Sequence, residues 1–402
     1  MKKGLLILTI LVMLLPLLSA CWNQKELTEL ALVMALGVDK GKDKKFKLSF
    51  QLVNPGNVTT GQSGGGGQGL PIAVYRSTGN TITEAARNAT KKISRRLYYA
   101  HTNLVVVSEK IAREDMLYIL DALDRDPEFR TTTEMVVARG CTAEDIVTTI
   151  TILDKLPVNK ITKQIKASEA MLGENSSVNI DDFLTGIISE GKQSFLNGYR
   201  LVGKKSKGRE AQNLEKTTTD AFLSSDGLAI FHQGKLRGWV DSDEARGIIW
   251  IEDKLKSTDI SIAWKKKKKA LVVVPIRSKT KVYVSFINQK PRINIKIDSE
   301  GWISEANTAI DLNNPEIIAK IDKLVEKEIS RQILDSVHSL QKLKCDIFGF
   351  GEKVHISNPN SWKNLQGNWD EEFAALKVNV KVDFYIRREG IRTVPFWSSM
   401  GK

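Results

Sequence analysis

The chain has 402 residues, 42% hydrophobic and 27% charged, with a formal net charge of +13 and three cysteines. This is the composition of a globular protein long enough for two or three domains, each with a core of its own. With one long apolar run, at the very start, it is not that of a multi-span membrane protein. The basic excess suits anionic lipid headgroups or wall polymers, and no motif that binds nucleic acid is present.

The first twenty-two residues organise the rest. Lys2 and Lys3 are followed by an uncharged run from Gly4 to Leu18 and then by Leu18-Ser19-Ala20-Cys21. A basic start, an apolar middle and small residues before a cut site make a secretory signal peptide. A cysteine directly after Leu-Ser-Ala resembles the bacterial lipobox. That resemblance implies cleavage between Ala20 and Cys21, an N-acyl, S-diacylglycerol cysteine at Cys21, and export to the outer face of a membrane. An ordinary transmembrane anchor is the other reading. The run is short for a bilayer core of about 30 Å and contains Pro16, which weighs against it. Export also argues against nucleic acid as a partner. Cys141 and Cys345 remain, to form one disulfide or to stay as buried thiols. The four histidines, His101, His232, His338 and His355, are not spaced as metal ligands.

Trp22 suits a headgroup zone. Leu30–Val38 and Phe46–Val53 read as paired strands around a turn at Gly41-Lys42-Asp43. The loop Asn54–Gly69 carries Gly64 to Gly67, but no Lys-Ser/Thr follows, so it reads as a surface loop and not a phosphate cradle. Ile72–Tyr75 form a strand, and Thr81-Ile82-Thr83-Glu84 offer a capping box for a helix through Ala85, Ala89 and Ile93. His101–Val107 and Met135–Ala138 are strands, with a helix over Met116–Leu123 ending at Asp126-Pro127. Thr142 to Asp145 open another helix, with Asp in place of the usual Glu at the third helical position.

Leu156-Pro157 is expected to close this unit. Ile161–Leu196 read as mostly helical, Asn179 capping Ile180–Ile188. The polar connection Gly203–Lys216 suggests a major boundary. Ala221–Phe231 and Lys235–Val240 form a hairpin through Gln233-Gly234, and Asp241–Ile249 a short helix. Strands are expected at Ile260–Trp264, Leu271–Val274, Val282–Ile287 and Arg292–Ile297. Lys265 to Lys269 lie between two of them, either as a device against edge pairing or as a contact for anionic headgroups. Asn314-Pro315 begins the clearest helix, Pro315–Leu343, whose stripe Ile317, Ile321, Val325, Ile329, Ile333, Val337, Leu340 asks for a sheet to cover. A strand over Leu376–Ile386 ends the pattern.

Several stretches, taken together and in order, resemble the Ger(x)C family, the lipoprotein C subunits of spore germinant receptors. They are Cys21-Trp22-Asn23 with Glu26-Leu27, Tyr75 to Gly79, Arg96 to His101, Arg125 to Arg130, Gly227 to Phe231, Asp346 to Gly351, and Trp362. The glycine run and the five lysines depart from the pattern. The resemblance implies a non-enzymatic subunit without a cofactor, anchored through Cys21 and acting with two integral membrane subunits, one transporter-like, in the spore inner membrane. The complex would answer nutrients such as amino acids, sugars or nucleosides.

The expected fold is α+β with three mixed α/β domains, the last a mostly antiparallel sheet packed by one long helix. Boundaries are placed at 1–20 for the signal, 21–155, 156–255 and 256–402. A lipid-anchored solute-binding protein for a transporter is the alternative, but its two doubly wound lobes do not suit a second half that runs strand after strand. A hydrolase lacks a motif: there is no Gly-x-Ser-x-Gly and no His-Glu-x-x-His. Asp124 and Asp126, beside Arg125 and Arg130, read as charge pairing that fixes a turn. No residue is marked out as a catalytic, metal or germinant-binding site.

Overall fold

The computed structural model describes residues 27–54 and 70–388, apart from 115, 155 and 214, together with Gly4 and Pro395. Ala20, Cys21, Trp22 and the glycine run at 64–67 lie outside the described residues.

The chain enters through a 3-10 turn at Leu27–Glu29 and runs into β1 (Leu30–Lys40). β2 (Phe46–Val53) returns antiparallel beside it and β3 (Ile72–Gly79) beside β2. β4 (Arg96–Tyr98), β5 (Leu104–Ser108), β6 (Glu134–Ala138), β7 (Phe195–Gly203), β8 (Ala221–His232) and β9 (Lys235–Val240) complete the first sheet. Its order is β3-β2-β1-β5-β6-β7-β8-β9, with β4 paired to the start of β1. The central strands β1, β5, β6 and β7 are parallel, and antiparallel pairs flank them on both sides.

Helices cover both faces. α1 (Ile82–Asn88), α2 (Glu109–Glu114) and α3 (Met116–Asp124) precede β6; α4 (Ala143–Thr148), α5 (Pro157–Met171) and α6 (Ile180–Ile188) follow it. Ala35, Leu104, Val106 and Val136 face α4 and α5, whereas Leu36, Val105, Val107 and Met135 belong to the core shared with α1, α3 and α6. A strand buried on both faces has no polar side to alternate with, which is why Leu104-Val105-Val106-Val107 is an unbroken apolar run.

Local signals place the helix starts. Thr142 and Asp145 form a reciprocal capping box, the shorter Asp side chain reaching the Thr142 N–H at 3.0 Å. Asn179 and Asp182 do the same for α6. The Thr81 hydroxyl accepts from the Glu84 N–H at 2.9 Å, but Glu84 reaches back to the N–H of Asn80 rather than Thr81. The Gln233-Gly234 turn is as expected, both residues having positive φ (49° and 74°) as a two-residue hairpin requires.

α7 (Ser242–Ile251) leads to the second sheet, β10 (Ile260–Trp264), β11 (Lys267–Ile287), β12 (Lys290–Ala306) and β13 (Lys377–Arg388), in that order. All pairs are antiparallel except β12 with β13. α8 (Pro315–Leu343) lies on its inner face, followed by α9 (Phe350–Ser357), α10 (Pro359–Leu365) and α11 (Trp369–Ala375). Asn314 Oδ1 caps α8 by accepting from the Glu316 N–H at 2.9 Å, and Lys344 ends it in the left-handed region. Ile321, Val325, Ile329, Ile333, Val337 and Leu340 are all buried, against Ile295, Ile297 and Phe384 of the sheet among others. Lys323, Lys327 and Arg331 are exposed.

The structure differs from the sequence reading in four places. Leu156-Pro157 does not close a unit: Pro157 takes the first helical position of α5, where its missing N–H costs nothing. The boundary expected at 155/156 falls within the first sheet, since β6 and β7 on its two sides are hydrogen-bonded neighbours. The polar stretch 203–216 is an excursion between adjacent strands, Gly203 pairing with Ala221. Leu271–Val274 and Val282–Ile287 are two parts of the single strand β11, which bulges between Pro275 and Arg277 and so breaks its alternation. Lys265 to Lys269 lie exposed around the β10–β11 tip, where Trp264 pairs with Lys267.

Candidate functional site

Cys21, where the sequence leads one to expect a lipid, precedes the described residues, so the end of the first sheet where the chain enters is the natural place to look. Leu30 pairs in parallel with Arg96, and Leu32 with Tyr98, which puts β4 beside the entry point. Asn54 donates its N–H to Pro71 O at 2.9 Å at the same end. Connections that run from a helix into the central parallel strands also meet there, among them 88–103 and 125–133. Between Arg87 and Arg96 this end carries Arg87, Lys91, Lys92, Arg95 and Arg96, all exposed, with no acidic residue among them.

Two of the stretches that carried the family resemblance, Arg96–His101 and Arg125–Arg130, build this end; a third, Tyr75–Gly79, runs along β3 toward the opposite end, where Gly79 pairs with Phe46. Tyr75–Gly79 forms most of β3: Ser77 Oγ donates to Ala85 O at 2.6 Å, and Gly79 passes so close to α1 that a Cβ would meet Ala85 N at 2.4 Å. Arg96–His101 supplies β4 and the turn after it. In Arg125–Arg130 the pairing differs from the one expected. Arg125 holds Asp121 at 2.9 Å across one helical turn, Asp126 accepts from the Glu128 N–H at 2.9 Å, and Glu128 pairs with Arg96. Asp124 takes no part in an ion pair among the described residues. The Tyr99 ring stacks on Phe129 at 5.3 Å, and burial, helped by Asp126 and Glu128, keeps its phenol protonated.

Behind these residues lies a cavity of about 610 Å³ between α1, α3 and the sheet. Its floor is Leu36, Leu48 and Phe50, and Ile82, Leu97 and Leu123 form walls. Arg87, Arg95 and Arg96 stand at its rim with Asp126 and Glu128. Each lining residue reads in sequence as ordinary core or ordinary surface. Only the packing of segments ninety residues apart brings them together, so no local signal marks the cavity.

At the far end of β1, roughly 30 Å away for a strand of this length, a polar cleft of about 840 Å³ is lined by Asp39, Lys47, Ser108, Cys141 and Lys205 among others. Several acidic groups in and beside it are engaged by backbone donors or cations. Asp39 accepts the N–H groups of Ala143 and Glu144 at 2.8 and 2.9 Å, and burial nonetheless raises its pKa. Burial also opposes ionisation of Glu144 and Asp145, but their cationic partners outweigh it and hold both below the usual range: Lys47 and Arg76 for Glu144, Lys205 for Asp145. Cys141 and Cys345 are free thiols, pushed up to about 11 and about 12 by burial, and so are protonated at neutral pH. His232 Nε2 meets Asp370 at 2.8 Å, linking β8 to α11. Among the described residues no three His, Cys, Asp or Glu side chains gather as metal ligands. These groups take part in packing and pairing.

Asp346–Gly351 is a structural knot. Asp346, fully buried, accepts from Phe350 N (3.1 Å), Gly351 N (2.8 Å) and the Trp369 indole (3.0 Å). Burial pushes its carboxyl up to about 6 against the pull of these donors. Trp362 packs edge-on to Trp369 at 5.1 Å. The motif residues therefore lock the helices after α8 to one another and to the 189–193 loop, whose Gln193 N–H donates to Asp346 O at 2.7 Å.

Comparison with known proteins agrees in extent and order. A sequence profile described as spore germination protein N-terminal domain matches residues 23–200, and one described as spore germination B3/GerAC-like, C-terminal, matches residues 226–390. Spore germination protein KC of Bacillus subtilis (strain 168) is 39% identical over 98% of both chains. Spore germination protein B3 of the same strain is 23% identical over 92% of this chain and 94% of its own. The crystal structure of the GerBC protein superposes with a TM-score of 0.52 at 19% identity, covering 88% of this chain and 96% of that one, which shows a shared fold. By sequence along almost its whole length, and by fold, the chain belongs to the Ger(x)C family of spore germination proteins.

Proposed function

We propose that this protein is the lipid-anchored, non-enzymatic subunit of a spore nutrient germinant receptor, acting with two integral membrane subunits at the outer face of the spore inner membrane. The observation that carries the reading is the likeness to spore germination proteins over 98% of the chain. The lipobox ending at Cys21 supports the anchor, and no helix of the described residues is long and apolar enough to cross a membrane. Charges consumed in pairs and protonated thiols favour a scaffold over a catalyst. The solute-binding alternative has less support, because the second half is one mostly antiparallel sheet under one long helix rather than a doubly wound lobe.

The test is made in a sporulating host. Cys21→Ala should abolish acylation, detected by mass spectrometry of the membrane fraction, and lower the response to nutrient germinants. Germination by agents that bypass receptors should be unchanged. An unmodified Cys21 in the wild-type protein, or a full nutrient response without the gene, would sink the reading.

A further inference from the structure

We infer that the cavity between α1, α3 and the first sheet is a binding site for an amphipathic anion, with an apolar chain inside and a phosphate or carboxylate head on Arg87 and Arg95. The interior is apolar, with Leu36, Leu48 and Phe50 as floor, and its volume of about 610 Å³ lies within the range of small-molecule sites. The rim has the opposite character. Arg96 is matched by Glu128, and Asp126 is engaged by the Glu128 N–H. Arg87 and Arg95 have no carboxylate within ion-pair distance among the described residues, although both line the opening. An apolar chamber with two unmatched guanidinium groups at its entrance is complementary to a molecule with one apolar chain and one anionic head. Tyr99 lines the same cavity, and its phenol stays protonated and so adds no charge.

Position narrows the source. The opening lies where Leu30 pairs with Arg96, at the end of the sheet by which the chain enters. With Cys21 lipidated nine residues before Leu30, that end faces the bilayer, and an anionic membrane lipid is within reach. This orientation rests on the receptor reading above; the cavity and its charges do not.

Binding is measured on the purified chain from residue 22 onward, which holds every strand, both sheets and both cores of the described residues. Palmitate and lysophosphatidylglycerol serve as probes, in calorimetric titration and native mass spectrometry. One molecule of each should bind per chain. Glycerol phosphate, which lacks the chain, and uncharged monopalmitoylglycerol should bind at least about tenfold more weakly. Arg87→Ala with Arg95→Ala should weaken both probes by about tenfold or more with an unchanged Tm. Ala86→Phe, on the cavity side of α1, should abolish binding by filling the space; Thr83→Phe on the same lining replaces it should the first variant not fold.

Vesicles separate the sources. Co-sedimentation with phosphatidylglycerol vesicles that falls on Ala86→Phe identifies a bilayer lipid as occupant. Binding of dispersed palmitate, with vesicle attachment indifferent to Ala86→Phe, identifies a free amphiphile. Absence of saturable one-to-one binding, or binding indifferent to both the arginine and the filling variants, overturns the inference. The receptor reading would stand in that event, since it is tested by the nutrient response and not by this titration.

Discussion

Gly191 and Gly351 face each other across the junction between the first sheet's last loops and the helices that follow α8. A Cβ built on Gly351 would meet Gly191 Cα at 2.6 Å, and one on Gly191 would meet Gly351 Cα at 2.8 Å and the Trp362 ring at 2.6 Å. Gly191 is also at φ +81°, a region that L side chains rarely adopt. The Gln193–Asp346 hydrogen bond, 2.7 Å long, holds the two segments together on one side, and Ser189 meets Glu352 on the other. The two backbones cannot separate without breaking that docking.

Gly351→Ala should therefore destabilise by roughly 2–4 kcal/mol, as overpacking against backbone does. Gly191→Ala should cost at least as much, because strain at positive φ is added. Thermal unfolding and limited proteolysis at 189–193 are the measurements. A Tm within a degree of wild type for Gly351→Ala would show that the junction opens easily.

Asp346 should leave a signature in the pH dependence of stability. Its folded value of about 6 lies above the ordinary 3.8, so between about 4 and about 6 the folded protein keeps a proton that the unfolded chain releases. The contribution is full below about 4 and declines as pH rises to about 6, by about 3 kcal/mol in all. Asp346→Asn should remove that slope. It should also be less stable than wild type at pH 7, because an amide NH2 would face either the Phe350 N–H at the Oδ1 position or both the Gly351 N–H and the Trp369 indole at the Oδ2 position. Denaturant midpoints for both proteins from pH 4 to 8 test this; parallel curves would refute the assignment.

The two described thiols should be silent in the folded protein. With values near 11 and 12, Cys141 and Cys345 hold at most about one thiolate in a thousand at pH 8. Iodoacetamide should leave both unmodified for hours under native conditions and label both within minutes in guanidinium. Fast native labelling at Cys345 would contradict its burial.

Elements with their own local chemistry were legible in the sequence. Pro315–Leu343 announced itself through Asn314, Pro315 and a seven-residue stripe, and Phe46–Val53 through strict alternation. What failed needed distant partners. Nothing near Leu156-Pro157 says that the chain comes back to lay Phe195–Gly203 beside β6, so the sheet was cut where a proline stood. The 203–216 stretch has the composition of a linker, and only the Gly203–Ala221 pairing shows it to be an excursion. The motif Arg96–His101 supplies part of the cavity's rim, yet its floor comes from Leu36, Leu48 and Phe50 on other strands. A motif marks residues without saying what space they enclose.

The long helix gives the sharpest separation of core from interface. Ile329 is fully buried in the middle of its stripe, while Lys327, two residues earlier, is exposed. The helix also serves the sheet edge: Glu326 and Asp322 accept the N–H groups of Phe384 and Ile386 at 3.3 and 3.1 Å, from the side of β13 that no strand of the described residues pairs. Ile329→Asp places a carboxylate without a partner in this core, at a cost of several kcal/mol against a domain stability of about 5–15 kcal/mol. Lys327→Asp should cost well under about 1 kcal/mol. In a sporulating host the first change should lower the amount of protein and the nutrient response together, and the second should change neither. Because packing and docking predict different things, the purified protein decides between them. An unchanged melting temperature in Ile329→Asp, with the nutrient response abolished, would mean that the stripe meets another subunit. Ile295, Ile297 and Phe384 would then have to be covered by something other than α8.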